Sequence, residues 1–405
     1  MNHKFLMSTL AMCMLNTTAY AAGLDRSGQL ITPFLQDGNY FEAAMYVVDP
    51  DVSGKVRPHK APPNTDLSTG EIAKDDQFYS AALKLQLTPN FSFGLLYDQP
   101  YSASAEYPTM QNGAFSSVKG NTAAEVDSQN LSLILGYQPN KNWNLYAGPV
   151  YQTLEGDVSI QGTSSIASGY KVSISEDHAL GWMAGVAYQI PEIALKAAVT
   201  YRSEITHKGH ANEEFSLPFS NLVPLVGEGE SSVTTPESVN LDFQTGVSPR
   251  TLLFANVRWV NWSDFYVRPY QFGKITSLVT TNMFGYPDGV NLTDYSKDQY
   301  SANVGLGHKL TDKWSGVVYG GWDSGAGNPT STLGPVEGYW AAGLGLQYNP
   351  TPQYFIAGGF KYVWLGDATA HSATHSIPGF EEASKVADFK DNTAVGYMMK
   401  IGYKF

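Results

Sequence analysis

Fourteen runs of this sequence alternate side-chain character with a period of two, and the connections between them alternate strictly between short and long. The runs fall near 39–50, 77–88, 90–107, 124–138, 143–158, 179–190, 193–208, 237–248, 251–267, 299–310, 313–324, 337–349, 353–368 and 391–405. Every second connection is tight, as at Thr88-Pro89-Asn90, Pro191-Glu192 and Pro350-Thr351-Pro352. The others, near 51–76, 108–123, 159–178, 209–236, 268–298, 325–336 and 369–390, are long and polar. A soluble β-sandwich has no reason to sort loop length by parity. A membrane barrel does, because its periplasmic turns are short, its extracellular loops are long and its strand number is even. The expected fold is all-β: a transmembrane antiparallel β-barrel of fourteen strands over residues 39–405, preceded by an irregular segment over residues 22–38 punctuated by Gly23, Gly28, Pro33 and Gly38.

Parity within single strands supports a wall with lipid on one side and water on the other. In the closing run Val395, Tyr397, Met399, Ile401, Tyr403 and Phe405 fall on one face, and Gly396, Met398, Lys400, Gly402 and Lys404 on the other. Likewise Val239, Leu241, Phe243 and Val247 oppose Ser238, Asn240, Asp242 and Gln244, and Leu195, Ala197, Val199 and Tyr201 oppose Lys196, Thr200 and Arg202. A Lys or Arg facing lipid at the bilayer midplane costs about 2 to 4 kcal/mol, enough to drive this segregation. Aromatic residues at run ends, among them Trp143, Trp182, Tyr201, Trp259, Trp314, Trp322 and Trp364, suit interfacial girdles. Charged residues are sparse at 15% and aromatics reach 13%, as strands facing lipid require.

Residues 1–21 read as a secretory signal peptide, with Lys4, an apolar run from Phe5 to Leu15, and a small-x-small site at Ala19-Tyr20-Ala21. The single cysteine, Cys13, lies in that run, so neither a disulfide nor a thiol nucleophile is expected in the mature chain. No later stretch approaches the roughly 18 consecutive apolar residues of a membrane helix. An exported chain of this kind belongs in the bacterial outer membrane as a barrel, and its formal charge of −12 argues against nucleic acid as a partner.

At Thr200 to Gly209 (TYRSEITHKG), Pro236-Glu237-Ser238-Val239 and Arg258-Trp259-Val260-Asn261-Trp262-Ser263, the chain resembles the FadL family of outer-membrane transporters of long-chain fatty acids and related hydrophobic compounds. The resemblance implies a fourteen-stranded barrel, a lumen closed by an N-terminal plug, and a kinked third strand that opens a lateral exit. Residues 22–38, with Leu24, Arg26 and Phe34, would then be the plug. The chain departs from the family in a shorter plug segment and in lacking Asn-Pro-Ala there. Its terminal aromatic, Phe405, resembles the signal that outer-membrane barrels present to the barrel-assembly machinery.

Three features then carry functional expectations. The third run is broken at Asp98-Gln99-Pro100, and proline within a paired strand removes a ladder donor, so Gly94, Asp98 and Pro100 are candidates for the kink. The fourth long loop holds Phe215, Leu217, Phe219, Leu222, Val223 and Leu225, more apolar surface than a solvated loop can carry without a binding role or a site to bury it. Arg202 and Lys361 are inward cations that could meet a carboxylate, with Glu204 expected to neutralise Arg202 in part. Barrel closure would also set Glu42 at a height similar to Lys400 or Lys404, as a structural pair. The pairs His207/His210 and His371/His375 have no Cys or carboxylate at companion spacing, so no metal site is expected. No Gly-x-Ser-x-Gly elbow or catalytic triad is visible and no cofactor is implied. The expected function is passive transport of hydrophobic compounds, most readily long-chain fatty acids, by a monomer contacting outer-membrane lipids. A porin for hydrophilic solutes and an outer-membrane lipase-type enzyme are the alternatives.

Overall fold

The computed structural model describes residues 24–216 and 218–405. The signal-peptide reading and Leu217 lie outside the described residues. Fourteen antiparallel strands close into one barrel: β1 (Tyr40–Asp51), β2 (Asp76–Gln86), β3 (Phe91–Asp98), β4 (Ala123–Tyr137), β5 (Trp143–Ile160), β6 (Tyr170–Ile190) and β7 (Leu195–Arg202) form one half. The other half is β8 (Ser238–Ser248), β9 (Thr251–Val260), β10 (Gln299–Lys309), β11 (Trp314–Asp323), β12 (Tyr339–Tyr348), β13 (Tyr354–Leu365) and β14 (Thr393–Lys404). Closure is made by β1 against β14, in unbroken register from Tyr40↔Lys404 to Asp51↔Thr393. That register places Lys400 Nζ 3.0 Å from Glu42 Oε1, joining the first and last strands inside the barrel as expected.

Burial follows the period of two. In β14, Ala394, Met398 and Lys400 are buried, whereas Tyr397, Met399 and Ile401 stand outward. Trp143, Trp182, Trp314, Trp340 and Trp364 are likewise exposed on the outer face, where lipid would cover them. Around residues 24–38 the interior is packed. Lys84, Arg258 and Lys361 are almost wholly buried inside the barrel among hydrogen-bonding side chains.

The loop end is covered by secondary structure that strand periodicity does not reveal. Short strands Ser53–Val56, Ser68–Glu71, Thr330–Ser331, Ala368–His371 and Lys385–Phe389, drawn from three different loops, pair into a five-stranded sheet. Ile205–Gly209 pairs with Ser231–Thr235 as a ribbon. The loop over 268–298, expected as an irregular polar connection, instead contains a helix, α2 (Tyr270–Phe284), preceded in the chain by a one-turn helix, α1 (Val223–Val226). The helix is capped from outside itself: the Gln271 and Phe272 N–H groups donate to the Glu213 carboxylate at 2.8 and 2.7 Å. It ends at Gly285, whose positive φ of 68° allows Gly285 N and Tyr286 N to donate back to Thr281 O and Thr280 O. Two other expectations do not hold. β6 begins at Tyr170 rather than 179, because Ala211–Glu214 extends the sheet by pairing with its outer end. Glu204 lies beyond the end of β7 and is exposed, so it does not neutralise Arg202.

Candidate functional site

Residues 24–38 run inside the barrel, and the wall holds them by specific bonds. Arg258 on β9 donates to Asp25 Oδ2 (2.6 Å), Gln29 Oε1 (3.1 Å), Asn240 Oδ1 (2.7 Å) and Ser238 Oγ (3.1 Å), tying the segment to β8 and β9. Asn240 Nδ2 donates to Gly28 O at 2.8 Å, and Lys196 Nζ donates to Leu35 O. Phe34 is fully buried, edge-on to Tyr146 with ring centroids 5.6 Å apart. Gly94 is what admits it: a Cβ at Gly94 would come within 2.4 Å of the Phe34 ring. Gly94 is therefore not a hinge of the third strand. It pairs regularly with Lys84 and Ile134 and makes room for the Phe34 ring.

The break in the third strand lies at Gln99–Tyr101. β3 pairs with β4 up to Asp98↔Asn130, and the chain resumes pairing at Ser102↔Asp127 through the short strand Ser102–Glu106. Four steps along the third strand thus oppose three along β4, which is a one-residue bulge. On its other flank the consequence is larger. β2 pairs with β3 only through Ala81–Gln86, so among the described residues Asp76–Ser80 carries no ladder toward the third strand. Gln99 Oε1 accepts the Tyr79 N–H at 2.8 Å, and an isolated bridge, Ala73↔Ala105, closes the seam further up. The N-terminal segment holds the break directly. Arg26 N donates to Pro100 O (2.6 Å), Ser102 N donates to Leu24 O (3.0 Å), and Ser27 Oγ donates to Asp98 Oδ2 (2.6 Å).

Behind this seam lies an apolar cavity. Its walls include Val48, Val52, Ile72, Val126, Val172, Ile174, Leu292 and Leu333, and it reaches Ala73, Asp76 and Ser102–Ala105 at the seam. Trp262 forms one end, fully buried, with Tyr101, Phe265 and Tyr295 rings 5.7, 5.0 and 5.1 Å away. Sequence reasoning treats Trp262 only as part of a motif. The signal was its place just past Val260, where the strand ends and the side chain can turn inward. The cations on the cavity wall have partners. Arg26 pairs with Asp76 and lies 3.7 Å from Asp127, and Lys208 is 4.0 Å from Glu230. His207 bonds Asp177 Oδ2 (3.1 Å) and Gln152 Oε1 (3.0 Å), and burial holds its imidazole below the usual range despite Asp177. Asp25, Asp76 and Asp177 all face this space.

Neither Arg202 nor Lys361 belongs to the cavity wall. Arg202 is buried beside Asp98 and Asp242, with Nη1 lacking a hydrogen-bond partner among the described residues. Lys361 Nζ sits 4.7 Å over the Tyr339 ring. The apolar loop, by contrast, does assemble a cleft. Phe215 packs on Tyr170 at 4.9 Å, and with Phe219 it lines an apolar groove closed by Phe272, Ile275 and Val279 of α2. Leu222 and Val223 are half-buried beside it, and Leu225 is 73% exposed. A further group was hidden from sequence: Asp294 lies against His371 and His375, and burial together with His375 pushes the His371 imidazole down to about 4.

The model of a family described as outer membrane protein transport protein (OMPP1/FadL/TodX) matches residues 30–405. Among solved structures the chain is similar to a Pseudomonas aeruginosa FadL homologue, at 16% identity over 91% of each chain with a TM-score of 0.69. It is also similar to the Pseudomonas putida toluene transporter TodX, at 12% identity over 92% of this chain and 91% of that one, TM-score 0.60. The Ralstonia pickettii toluene transporter TbuX follows, at 12% identity over 91% and 90%, TM-score 0.55. At such identities the likeness shows the fold. No curated protein matches the chain.

Proposed function

The chain belongs to the outer membrane protein transport family (OMPP1/FadL/TodX), transport channels of the Gram-negative outer membrane for hydrophobic compounds, and on that premise we propose that it passes an uncharged apolar compound sideways into the bilayer. Capture occurs in the groove between Phe215, Phe219 and α2. The ligand then enters the apolar cavity and leaves through the seam between β2 and the broken third strand. The observation that carries this reading is the continuity of an apolar cavity with a stretch of wall that lacks a ladder. No energy source is needed, because an apolar solute moves down its gradient from water into lipid.

The charge inventory supports a neutral substrate over a fatty acid, the substrate that the resemblance implies. A carboxylate in this cavity would find Arg26 already paired with Asp76 and Lys208 near Glu230, with Asp177 also on the wall. Burying a charge without a partner is costly. A buried, hydrogen-bonded plug likewise disfavours a water-filled porin. The test is uptake by cells lacking other hydrocarbon channels, with and without the protein, of radiolabelled toluene and of radiolabelled oleate. Faster toluene entry without saturable oleate entry is expected. Oleate entry with no effect on toluene overturns the neutral-substrate reading, and rapid liposome swelling in small sugars overturns the lateral path.

A further inference from the structure

Two loops far apart in sequence place three metal-binding side chains together at the outer end of the barrel. Asp294 follows α2, whereas His371 and His375 lie between β13 and β14. Their ligand atoms all fall within 4.8 Å of one another, and His375 Nε2 is 3.1 Å from Asp294 Oδ1. The two imidazole rings lie side by side with centroids 3.6 Å apart.

The surrounding bonds orient all three toward one point. His371 Nδ1 and His375 Nδ1 lie 3.1 and 3.4 Å from the same carbonyl, Ser372 O. A carbonyl only accepts, so His371 puts its proton on Nδ1 and leaves Nε2 as a lone-pair donor, whereas His375 Nε2 donates to the Asp294 carboxylate and would release that proton on taking an ion. Asn291 Nδ2 donates to Asp294 Oδ2 at 2.8 Å, which leaves Oδ1 for the shared point. Backbone carbonyls and amides that fix the tautomer and rotation of ligating side chains are the usual outer shell of a metal centre. A small polar cavity lined by Thr122, Ser331, Thr332 and Ser372 adjoins the histidines and leaves room for a water as a fourth ligand.

We propose that Asp294, His371 and His375 bind one divalent first-row transition ion of the Zn2+ class through two neutral imidazoles, one carboxylate and water. Two nitrogens and a single carboxylate oxygen suit Zn2+, whereas Ca2+ requires six to eight oxygens. The ion would join the α2 loop to the β13–β14 loop. Ala373, between the two histidines, and Ile275 of α2 both line the apolar groove, so the ion would brace two of its walls.

The test is calorimetric titration of the full-length barrel, made without a histidine tag and held in detergent, with ZnCl2. Expected is saturable binding of one Zn2+ per chain, with X-ray absorption giving nitrogen and oxygen ligands at about 2.0 to 2.2 Å. His371→Ala and His375→Ala should each abolish it, Asn291→Ala should weaken it about tenfold, and His59→Ala, at an exposed histidine, should leave it unchanged. Should the buried His371→Ala fail to assemble, the half-exposed His375→Ala decides alone. Absence of saturable binding, or binding that survives His375→Ala, overturns the site, as does equal binding of Ca2+.

Discussion

Arg258 and Glu337 show how single buried charges set what the lumen and its cover can do. Arg258 is 2% exposed and binds both the plug and the wall, so its removal leaves Asp25 buried without its guanidinium. Breaking one partner out of a buried pair costs about 3 to 5 kcal/mol. That cost falls on the plug rather than on the barrel ladder. Arg258→Met is expected to leave heat-modifiable mobility, the sign of an assembled barrel, intact while raising the rate of liposome swelling in a small sugar. Gly94→Ala should act in the same direction by displacing Phe34. Glu337 lies in the loop before β12, where burial pushes its carboxyl up to about 7 against the opposing Gly327 N–H and Lys297. Its folded value is raised, so its favourable contribution is present in acid and is lost as pH rises through about 7. Hydrogen exchange over 325–338 should therefore quicken between pH 5 and 8 beyond the intrinsic base-catalysed increase. In Glu337→Gln that excess should vanish.

At the scale of elements, the one-residue bulge is the feature that separates a transport wall from an ordinary one. Deleting Gln99 equalises the step count between the third strand and β4, and should let Asp76–Ser80 pair across the seam. Loss of hydrocarbon uptake with normal barrel assembly is the expected result. Pro100→Thr, which restores a donor but keeps the extra residue, should lose less. Unchanged uptake in the deletion would sink the lateral path. The barrel strands were legible in sequence because lipid and packed lumen impose opposite demands on alternate residues, and Glu42 with Lys400 followed from closure alone. The break at Pro100 was legible for a local reason too, as proline cannot donate to the ladder. The α2 helix was not. Its sequence, YQFGKITSLVTTNMF, is rich in β-branched residues, and Pro269 supplies no side-chain cap. Its N-terminus is satisfied by Glu213 from another loop, and Phe272 and Ile275 are buried by tertiary packing. The cover sheet escaped for the same reason, since strands of two to five residues from separate loops carry no readable period. The Asp294 cluster escaped because its carboxylate arrives from a different connection than its histidines.

For the whole molecule, the decisive question is whether solute leaves through the wall or along the barrel axis, and the chain is well suited to asking it. Its single cysteine is Cys13, so paired cysteines introduced into the barrel have no native thiol within it to compete. Ala73 and Ala105 form the isolated antiparallel bridge that bounds the seam above Gln99. Antiparallel partners have Cα atoms about 4.5 to 5.5 Å apart, within the range of about 4.4 to 6.8 Å that a disulfide spans. Ala73→Cys with Ala105→Cys should therefore oxidise without rearranging the barrel, and the crosslink would fix the upper edge of the opening while leaving the plug and its Arg258 anchor unchanged. If solute passes sideways by widening this seam, oxidation should cut toluene uptake several-fold and a reductant should restore it, with liposome swelling in small sugars constant throughout. If solute instead moves down the axis past Phe34, oxidation should leave uptake unchanged, and Arg258→Met should raise it whether or not the seam is locked. The double comparison separates wall from axis because the two devices share only the short stretch from Leu24 to Ser27, where the plug holds the break.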